Sequence, residues 1–503
     1  MKHILVLGAG KSATCLIDHL IRTVQAHQWE LTVADSNLAL ARAKTTNAPR
    51  TEAIALAVED PDARRYWIAK SDMVISLLPP ALHILVAQDC VHLGRNLLTA
   101  SYVDENMAAL GPAIREKGLL FLCEMGLDPG IDHMSAMQLI DRIRQSGGRI
   151  TSFKSHCGGL EDPGSDNNPW RYKISWNPRN VIMAGKSGAV FKEDGQVIDM
   201  PYASLFNPNR VVQVPGLEQL AWYPNRDSLS YMPIYGLEDT PTFIRTTLRY
   251  PEFCFGWKNL IDLKLTDETS FYETDGMTLQ QFFREHFETH GFSEWIERQL
   301  TARVAQTKQL LEKLQALLHA EQEVSEADRK ALQEFMMIND DGQLLDVNLN
   351  QIKTQAAAAV AGQMHEANLS MKQLIYLGMD DNRTLINKGR CSAADVLQFA
   401  AEMKLALGRN DKDMVVMMHE IGFETEAGLS NHITSTLVLS GEDTLRTAMA
   451  KTVGLPLAIA AELILLDKIQ LRGLHIPILP ELYDPVLEAL RKQGIVFIEH
   501  ISR

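Results

Sequence analysis

The chain opens on a short all-apolar run, Ile4-Leu5-Val6-Leu7, of the kind buried on both faces of a parallel sheet. Gly8-Ala9-Gly10-Lys11-Ser12-Ala13 ends it, and Leu16, Ile17, Leu20, Ile21 and Val24 then recur at helical spacing. The alternation continues. Leu31-Thr32-Val33-Ala34 reads as a second strand ending at Asp35, Met73 to Leu78 as a later one stopped by Pro79-Pro80, and Asn96 to Thr99 and Leu119 to Leu122 as two more. Five strands separated by helical stretches predict an α/β fold built on a Rossmann-type, doubly wound parallel sheet, with its ligand at the carboxyl ends of the strands.

The pattern then changes. From Thr151 to about Trp257 the chain is rich in Gly, Pro, Asn, Trp and Tyr, with short strand candidates at Val211 to Val214 and Thr242 to Leu248. This predicts a second, α+β domain carrying functional loops. From about Thr278 to Leu407 helical periodicity dominates. Trp295 to Gln322 is one amphipathic stretch with Val304, Leu310, Leu311, Leu314, Leu317 and Leu318 on a face, and Glu323-Val324-Ser325-Glu326 ends it. Ala356 to Ala361 is a short tract of high helix propensity. The region reads as an inserted helical domain for packing or dimerisation, without chemistry of its own.

Length and composition bound this picture. At roughly 150 residues per domain, the 503 residues call for several domains. Asp and Glu outnumber Lys and Arg by 63 to 49, and the formal charge of -14 removes any general attraction to nucleic acid or anionic lipid. A small polar or zwitterionic ligand is the better expectation. The six cysteines stand at 15, 90, 123, 157, 254 and 391 with no close pair, which fits a reducing cytoplasm and neither a zinc ribbon nor a disulfide framework. The N-terminus lacks the features of a secretory signal, and apolar stretches such as Leu77 to Ala87 and Leu455 to Leu466 fall short of the ~20 residues of a bilayer span. A cytoplasmic protein without membrane partners is expected.

The first candidate chemistry is the glycine turn. Gly10-Lys11-Ser12 suggests a phosphate-binding P-loop, but the glycine that motif requires five positions before Gly10 is Leu5, inside the strand. A dinucleotide site fits better: Gly8 permits the tight turn, Gly10 lets the backbone approach a pyrophosphate, and Ala13 allows close helix-to-sheet packing. Asp35 ends the second strand, where a carboxylate accepts bonds from ribose hydroxyls and repels a 2′-phosphate. NAD is therefore favoured, with NADP still open because Arg42 and Lys44 are near in sequence.

Glu124-Met125-Gly126-Leu127-Asp128-Pro129-Gly130-Ile131-Asp132-His133-Met134 resembles the signature of saccharopine dehydrogenases of the glutamate-forming type. Further blocks agree in order along nearly the whole chain. They are His156 to Leu160, Asp166 to Trp176, Tyr223 to Ser228, Ile244 to Tyr250, Asp413 to Val416 and Ala450 to Ala460. The resemblance implies a lysine-pathway enzyme in which a nicotinamide cofactor takes hydride from the carbon beside saccharopine's secondary amine. Water then cleaves the imine into glutamate and 2-aminoadipate 6-semialdehyde, reversibly. It also implies a split architecture: residues 1–129 and about 450–503 for the dinucleotide domain, 130–277 and about 408–449 for the α+β substrate and dimerisation domain, 278–407 for the helical domain, and a homodimer as the assembly.

The resemblance assigns cofactor contacts to Ala9, Gly10, Lys11, Ser12, Asp35, Ser36, Val58, Ser76, Ala100, Ser101, Leu127, Asp128, Pro129 and Ser175. It assigns substrate contacts to Ser101, Tyr102, Asp128, Arg226, Thr247, Leu248 and Arg249. The physical sense is good: saccharopine carries three carboxylates and two amines, so Arg226 and Arg249 can each fork onto a carboxylate and Asp128 can hold an ammonium. The NADP-using members of the family lack an acid where Asp35 stands and carry Arg in place of Ser36, and between about Lys258 and Asp411 this chain is longer and less similar to them.

Acid and base chemistry falls to Asp128 and Tyr102, with His156 and Cys157, read as lying on a loop after a strand, as further candidates. No metal is expected: His419-Glu420 begins like a zinc-protease helix, but Phe423 stands where the second histidine belongs. His83 and His92 read as lone packing or surface histidines. Two rivals share the sequence evidence, a carboxynorspermidine-type reductase and a non-enzymatic nucleotide-binding adaptor. The pair Arg226 and Arg249 argues against the first, and an intact Gly8, Gly10, Asp128 and Arg226 against the second.

Overall fold

The computed structural model describes residues 1–297, 366 and 368–502, together with the backbone of the strands Phe335–Ile338 and Leu344–Val347. Two compact units result, one of Met1–Phe255 with Leu405–Arg503 and one of Gly256–Lys404.

The first unit holds two sheets. One contains β1 (His3–Leu7), β2 (Glu30–Asp35), β3 (Thr51–Ala55), β4 (Met73–Ser76), β5 (Asn96–Thr99), β6 (Leu120–Leu122) and β19 (Gly473–His475), in the order β19-β6-β5-β4-β1-β2-β3. Every pair is parallel. Alternation along β1 sends Ile4 and Val6 into one buried cluster and Leu5 and Leu7 into another, which is why the strand is apolar throughout. From β1 the chain steps out to β2 and β3 and then returns to the opposite side of β1 at β4, so a crevice opens over the carboxyl ends of β1 and β4. The strands β3 and β19 carry no long apolar run: β3 is an edge strand of mixed exposure and β19 has three residues.

The second sheet has nine strands. Its main path is β10 (Val211–Gln213), β11 (Gln219–Pro224), β12 (Thr242–Arg249), β7 (Arg149–Glu161), β17 (Asp413–Glu424), β18 (Ser430–Ser440) and β20 (Ile498–Ser502). The hairpin β8 (Ala189–Glu193) and β9 (Gln196–Met200) joins through β12. The end of the chain serves both sheets. The helix Ala448–Leu465 packs on the helix Thr14–His27 and β19 extends the first sheet, but β20 runs on to pair with β18 of the second, where residues to 503 were expected to stay with the dinucleotide sheet. Ala448–Leu465 is long and apolar enough by length and composition to cross a membrane, unlike the shorter run expected there, and 78% of it is buried inside the fold.

The second unit contains the helices Leu279–Thr289 and Ala393–Lys404, as a helical insertion predicts. It also contains two small antiparallel pairs, β13 (Phe271–Glu273) with β16 (Arg390–Ser392) and β14 (Phe335–Ile338) with β15 (Leu344–Val347). Its boundaries fall at Gly256 and Lys404 rather than 278 and 407. Past Glu297, the amphipathic stretch to Gln322 with its end at 323–326 lies outside the described residues, as does the tract Ala356 to Ala361.

Candidate functional site

A cavity of about 1180 Å³ runs from the glycine turn after β1, past the ends of β2, β4 and β5, onto β7 and β12 of the second sheet. At its nucleotide end Gly8 sits at φ +104 and donates its N–H to Ala34 O at 2.8 Å. A Cβ there would lie 2.8 Å from Leu77 O, so only glycine fits, whereas Gly10 has no atom within 4 Å of its missing side chain and leaves the backbone open to a ligand. Asp35 ties β2 to this turn, its carboxylate accepting from Ala9 N and Asn37 N at 2.8 Å each. Lys11, Ser12, Asp35, Ser36, Val58 and Glu59 line the same end. An open glycine backbone, a carboxylate at ribose position and an elongated crevice at the sheet's switch point fit a dinucleotide.

The facing wall is built from charged side chains. In Gly126 to Gly130 the backbone crosses itself, with Gly126 N donating to Pro129 O at 2.9 Å, and a Cβ on Gly130 would fall 2.1 Å from Gly126 O. This loop presents Asp128 to the cavity. Behind it, Arg245 Nη2 on β12 donates to Asp128 Oδ1 at 2.6 Å and to Asp132 Oδ2 at 2.8 Å, with the guanidinium 4.2 Å from the Tyr231 ring. Arg245 and Asp132 are buried, and Asp128 is 14% exposed. Deeper still, His133 Nε2 bonds Glu124 Oε2 at 2.8 Å and its Nδ1 bonds the Tyr235 hydroxyl at 2.5 Å. Burial pushes the Asp128 carboxyl up to about 6, opposed by Arg245 and reinforced by Asp132. Burial acts on Asp132 too, but the attraction of His133 and Arg245 and the Gly130 N–H carry it below the usual carboxylate range.

The substrate candidates divide by strand alternation. On β12 the odd positions share one face, so Arg245, Thr247 and Arg249 turn the same way and the last two line the cavity, while Leu248 packs with Leu160, Val214 and Val416 on the other side. Arg249 is buried, donating to Gly159 O at 3.3 Å and Leu248 O at 2.8 Å. Arg226, at φ 52, is exposed at the cavity and lies 5.3 Å over the Tyr102 ring. Burial raises the Tyr102 phenol well above its ordinary value, so it serves as a donor rather than a phenolate.

His156 and Cys157 lie within β7, not on a loop, and point oppositely. Cys157 lines the cavity as a thiol held protonated by burial and by Asp128 and Asp132; His156 turns away to Thr246 at 2.7 Å and Glu420 at 2.9 Å. Ser76, Ala100, Ser101, Leu127 and Pro129 also line the cavity, whereas Ala9 and Ser175 do not; the Ser175 hydroxyl bonds Asp413. His419 stands on β17 rather than a helix. Three participants escaped the sequence reading: Arg245, Asp132 and His83. Two could have been found, since Arg245 stands two residues before Thr247 on a strand and Asp132 lies four after Asp128 in the same block. His83 is not a lone packing histidine, because it bonds both Ser76 and Ser101 at the cavity wall.

Comparison with known proteins agrees with this geometry. Residues 4–122 match the family described as saccharopine dehydrogenase NADP binding domain, and 126–495 the one described as saccharopine dehydrogenase C-terminal domain. The chain is 30% identical over 501 residues to a protein of Schizosaccharomyces pombe named saccharopine dehydrogenase [NADP(+), L-glutamate-forming], covering 100% of this chain and 99% of that one. It is 33% identical over 529 residues to the alpha-aminoadipic semialdehyde synthase of Arabidopsis thaliana, of whose length it spans 44%. The solved apo saccharopine dehydrogenase (L-Glu forming) from Saccharomyces cerevisiae superposes with a TM-score of 0.77 at 26% identity, covering 100% of both chains. Matched nearly end to end by both domain families, the chain belongs to the saccharopine dehydrogenase family.

Proposed function

We propose that this chain catalyses the oxidative cleavage of saccharopine to L-glutamate and 2-aminoadipate 6-semialdehyde, a reversible step of lysine metabolism. The observation that carries this is the single cavity: the dinucleotide turn at Gly8 and Gly10 shares it with Asp128, Tyr102, Arg226 and Arg249. The cofactor is a nicotinamide dinucleotide, which when bound accepts the hydride from the carbon beside saccharopine's secondary amine.

The residues divide the remaining work. Arg226 and Arg249 hold substrate carboxylates, and Tyr102 donates a hydrogen bond beside them. Asp128 takes one proton from the ammonium, freeing the nitrogen lone pair to form the C=N bond as hydride leaves. Water then adds to the imine carbon, the nitrogen regains a proton, and the C–N bond breaks to give the aldehyde and the amine of glutamate. Arg245, itself anchored by Asp132, holds Asp128 in place, and burial, opposed by Arg245 and reinforced by Asp132, keeps its proton affinity close to neutral pH.

For the cofactor's 2′ position we propose NAD. The names of the matched family and of the S. pombe relative point to NADP. In this chain the ribose end of the cavity carries two carboxylates, Asp35 and Glu59, and no arginine among its lining residues, which disfavours a 2′-phosphate. The test is to offer saccharopine with each cofactor and follow the reduced-nicotinamide absorbance. Reduction with NAD at the higher kcat/KM is expected. No reduction with either cofactor contradicts the activity, and a preference for NADP contradicts the Asp35 reading alone.

A further inference from the structure

His83 stands in the first turn of the helix Pro80–Leu93, buried and facing the cavity. Its Nδ1 is 2.8 Å from Ser76 Oγ at the end of β4, and its Nε2 is 2.7 Å from Ser101 Oγ just beyond β5. Both serines line the cavity. Burial pushes the ring's pKa down to about 4, against the weaker pull of Asp104, so the imidazole is neutral at physiological pH.

A neutral imidazole has one N–H and one lone pair, so it donates at one nitrogen and accepts at the other. The two serine hydroxyls are therefore ordered together: one gives its proton to the ring and the other receives one. The proposed reaction selects the direction. Saccharopine's amine needs its lone pair to form the C=N bond, and a hydroxyl donating to that nitrogen would occupy it. An oxygen accepting the amine's remaining N–H leaves the lone pair free.

We propose that His83 is a positioning residue, held as the Nδ1–H tautomer between Ser76 and Ser101, that turns the Ser101 proton toward the ring and its lone pairs toward the substrate's amine. This rests on the reaction proposed above for the identity of the amine and the direction of the hydrogen bonds, and on the two contacts for the coupling of the serines through the ring.

Two readouts separate the parts. Nitrogen NMR of histidine-labelled protein, with the His83 signals identified by their loss in His83→Gln, reads the tautomer without substrate. A neutral Nδ1–H ring unchanged between about pH 6 and 8 is expected, and an Nε2–H ring or an imidazolium overturns the proposal. Steady-state kinetics then read the consequence. His83→Phe, which keeps ring volume and loses both bonds, is expected to lower kcat for saccharopine oxidation by about tenfold, with the KM for NAD within about threefold of wild type. His83→Gln, whose amide oxygen can still accept from Ser101, is expected to recover much of that loss. Equal kcat in the Phe and Gln variants, or wild-type kcat in both, overturns the positioning role. Should His83→Phe not fold, Ser76→Ala serves in its place: it removes the hydroxyl that accepts from the Nδ1–H and is expected to lower kcat, though less than Ser101→Ala, and wild-type kcat in both serine variants overturns the positioning role. A wild-type protein that oxidises no saccharopine refutes the function, and the NMR result still decides the tautomer.

Discussion

The two walls of the cavity are built on different principles. The nucleotide wall is shaped by its backbone: Gly8 is needed for the side chain it lacks, and Gly10 leaves the turn open above the strand ends of the parallel sheet. The facing wall is a buried charge network in which Arg245 bridges Asp128 and Asp132 with His133 and Glu124 behind them. A backbone surface fails only where a side chain collides with it. A buried network fails when any member leaves, because the others remain desolvated and unpaired.

The sharpest break is expected from Arg245→Met. Removing one partner of a buried ion pair costs about 3–5 kcal/mol, which should appear as a lower melting temperature. The same energy withdrawn from the positioned Asp128 corresponds to a fall in kcat/KM of about 10²-fold to several thousandfold.

Asp128→Asn keeps an acceptor for Arg245 but removes the base, and a loss of about 10²-fold in kcat/KM is expected. Its pH dependence carries the sign. With the folded carboxyl pushed up to about 6, above the ordinary 3.8, the folded chain binds this proton more tightly than the unfolded one. The stabilisation it gives is present below about pH 4 and lost as pH rises through about 6. The melting temperature of Asp128→Asn should therefore gain on that of wild type between these values. In wild type kcat/KM should climb through the same region, and in the variant that limb should be gone.

On the other wall, Gly8→Ala forces a Cβ to 2.8 Å from Leu77 O at a left-handed φ. A cost of about 1–3 kcal/mol is expected, read as a raised KM for the dinucleotide with the KM for saccharopine little changed. The smallest effect belongs to Asp35→Ser, which removes a carboxylate from the ribose end and should shift the ratio of kcat/KM values toward NADP by about tenfold.

The same contrast explains what could be read from the chain. The strands β1, β2, β4 and β5 announce themselves because they are buried on both faces, and the glycine turn because its steric demand is local. The edge strand β3 and the three-residue β19 carry too little periodicity to register. Asp128 was visible through its signature block, but its partner Arg245 lies 117 residues away and becomes its neighbour only when β12 is in place. His83 likewise reads as isolated until the sheet brings Ser76 and Ser101 to either side of one ring. The direction of His156 and Cys157 turns on whether they occupy a loop or a strand, and two-residue alternation along β7 then sends only the thiol to the cavity.

The central claim is that a dinucleotide and saccharopine react in one chamber under the control of a base, Asp128, whose proton affinity is raised by burial and held by Arg245 and Asp132. Its most direct test is the pH profile of kcat/KM for saccharopine-dependent reduction of the nicotinamide dinucleotide, compared between wild type and Asp128→Asn. A wild-type rate that rises through about pH 6 to a plateau, with a low and flat profile in the variant, is the predicted result. Superimposable profiles, or no reduced nicotinamide from saccharopine with either dinucleotide at any pH, would contradict it.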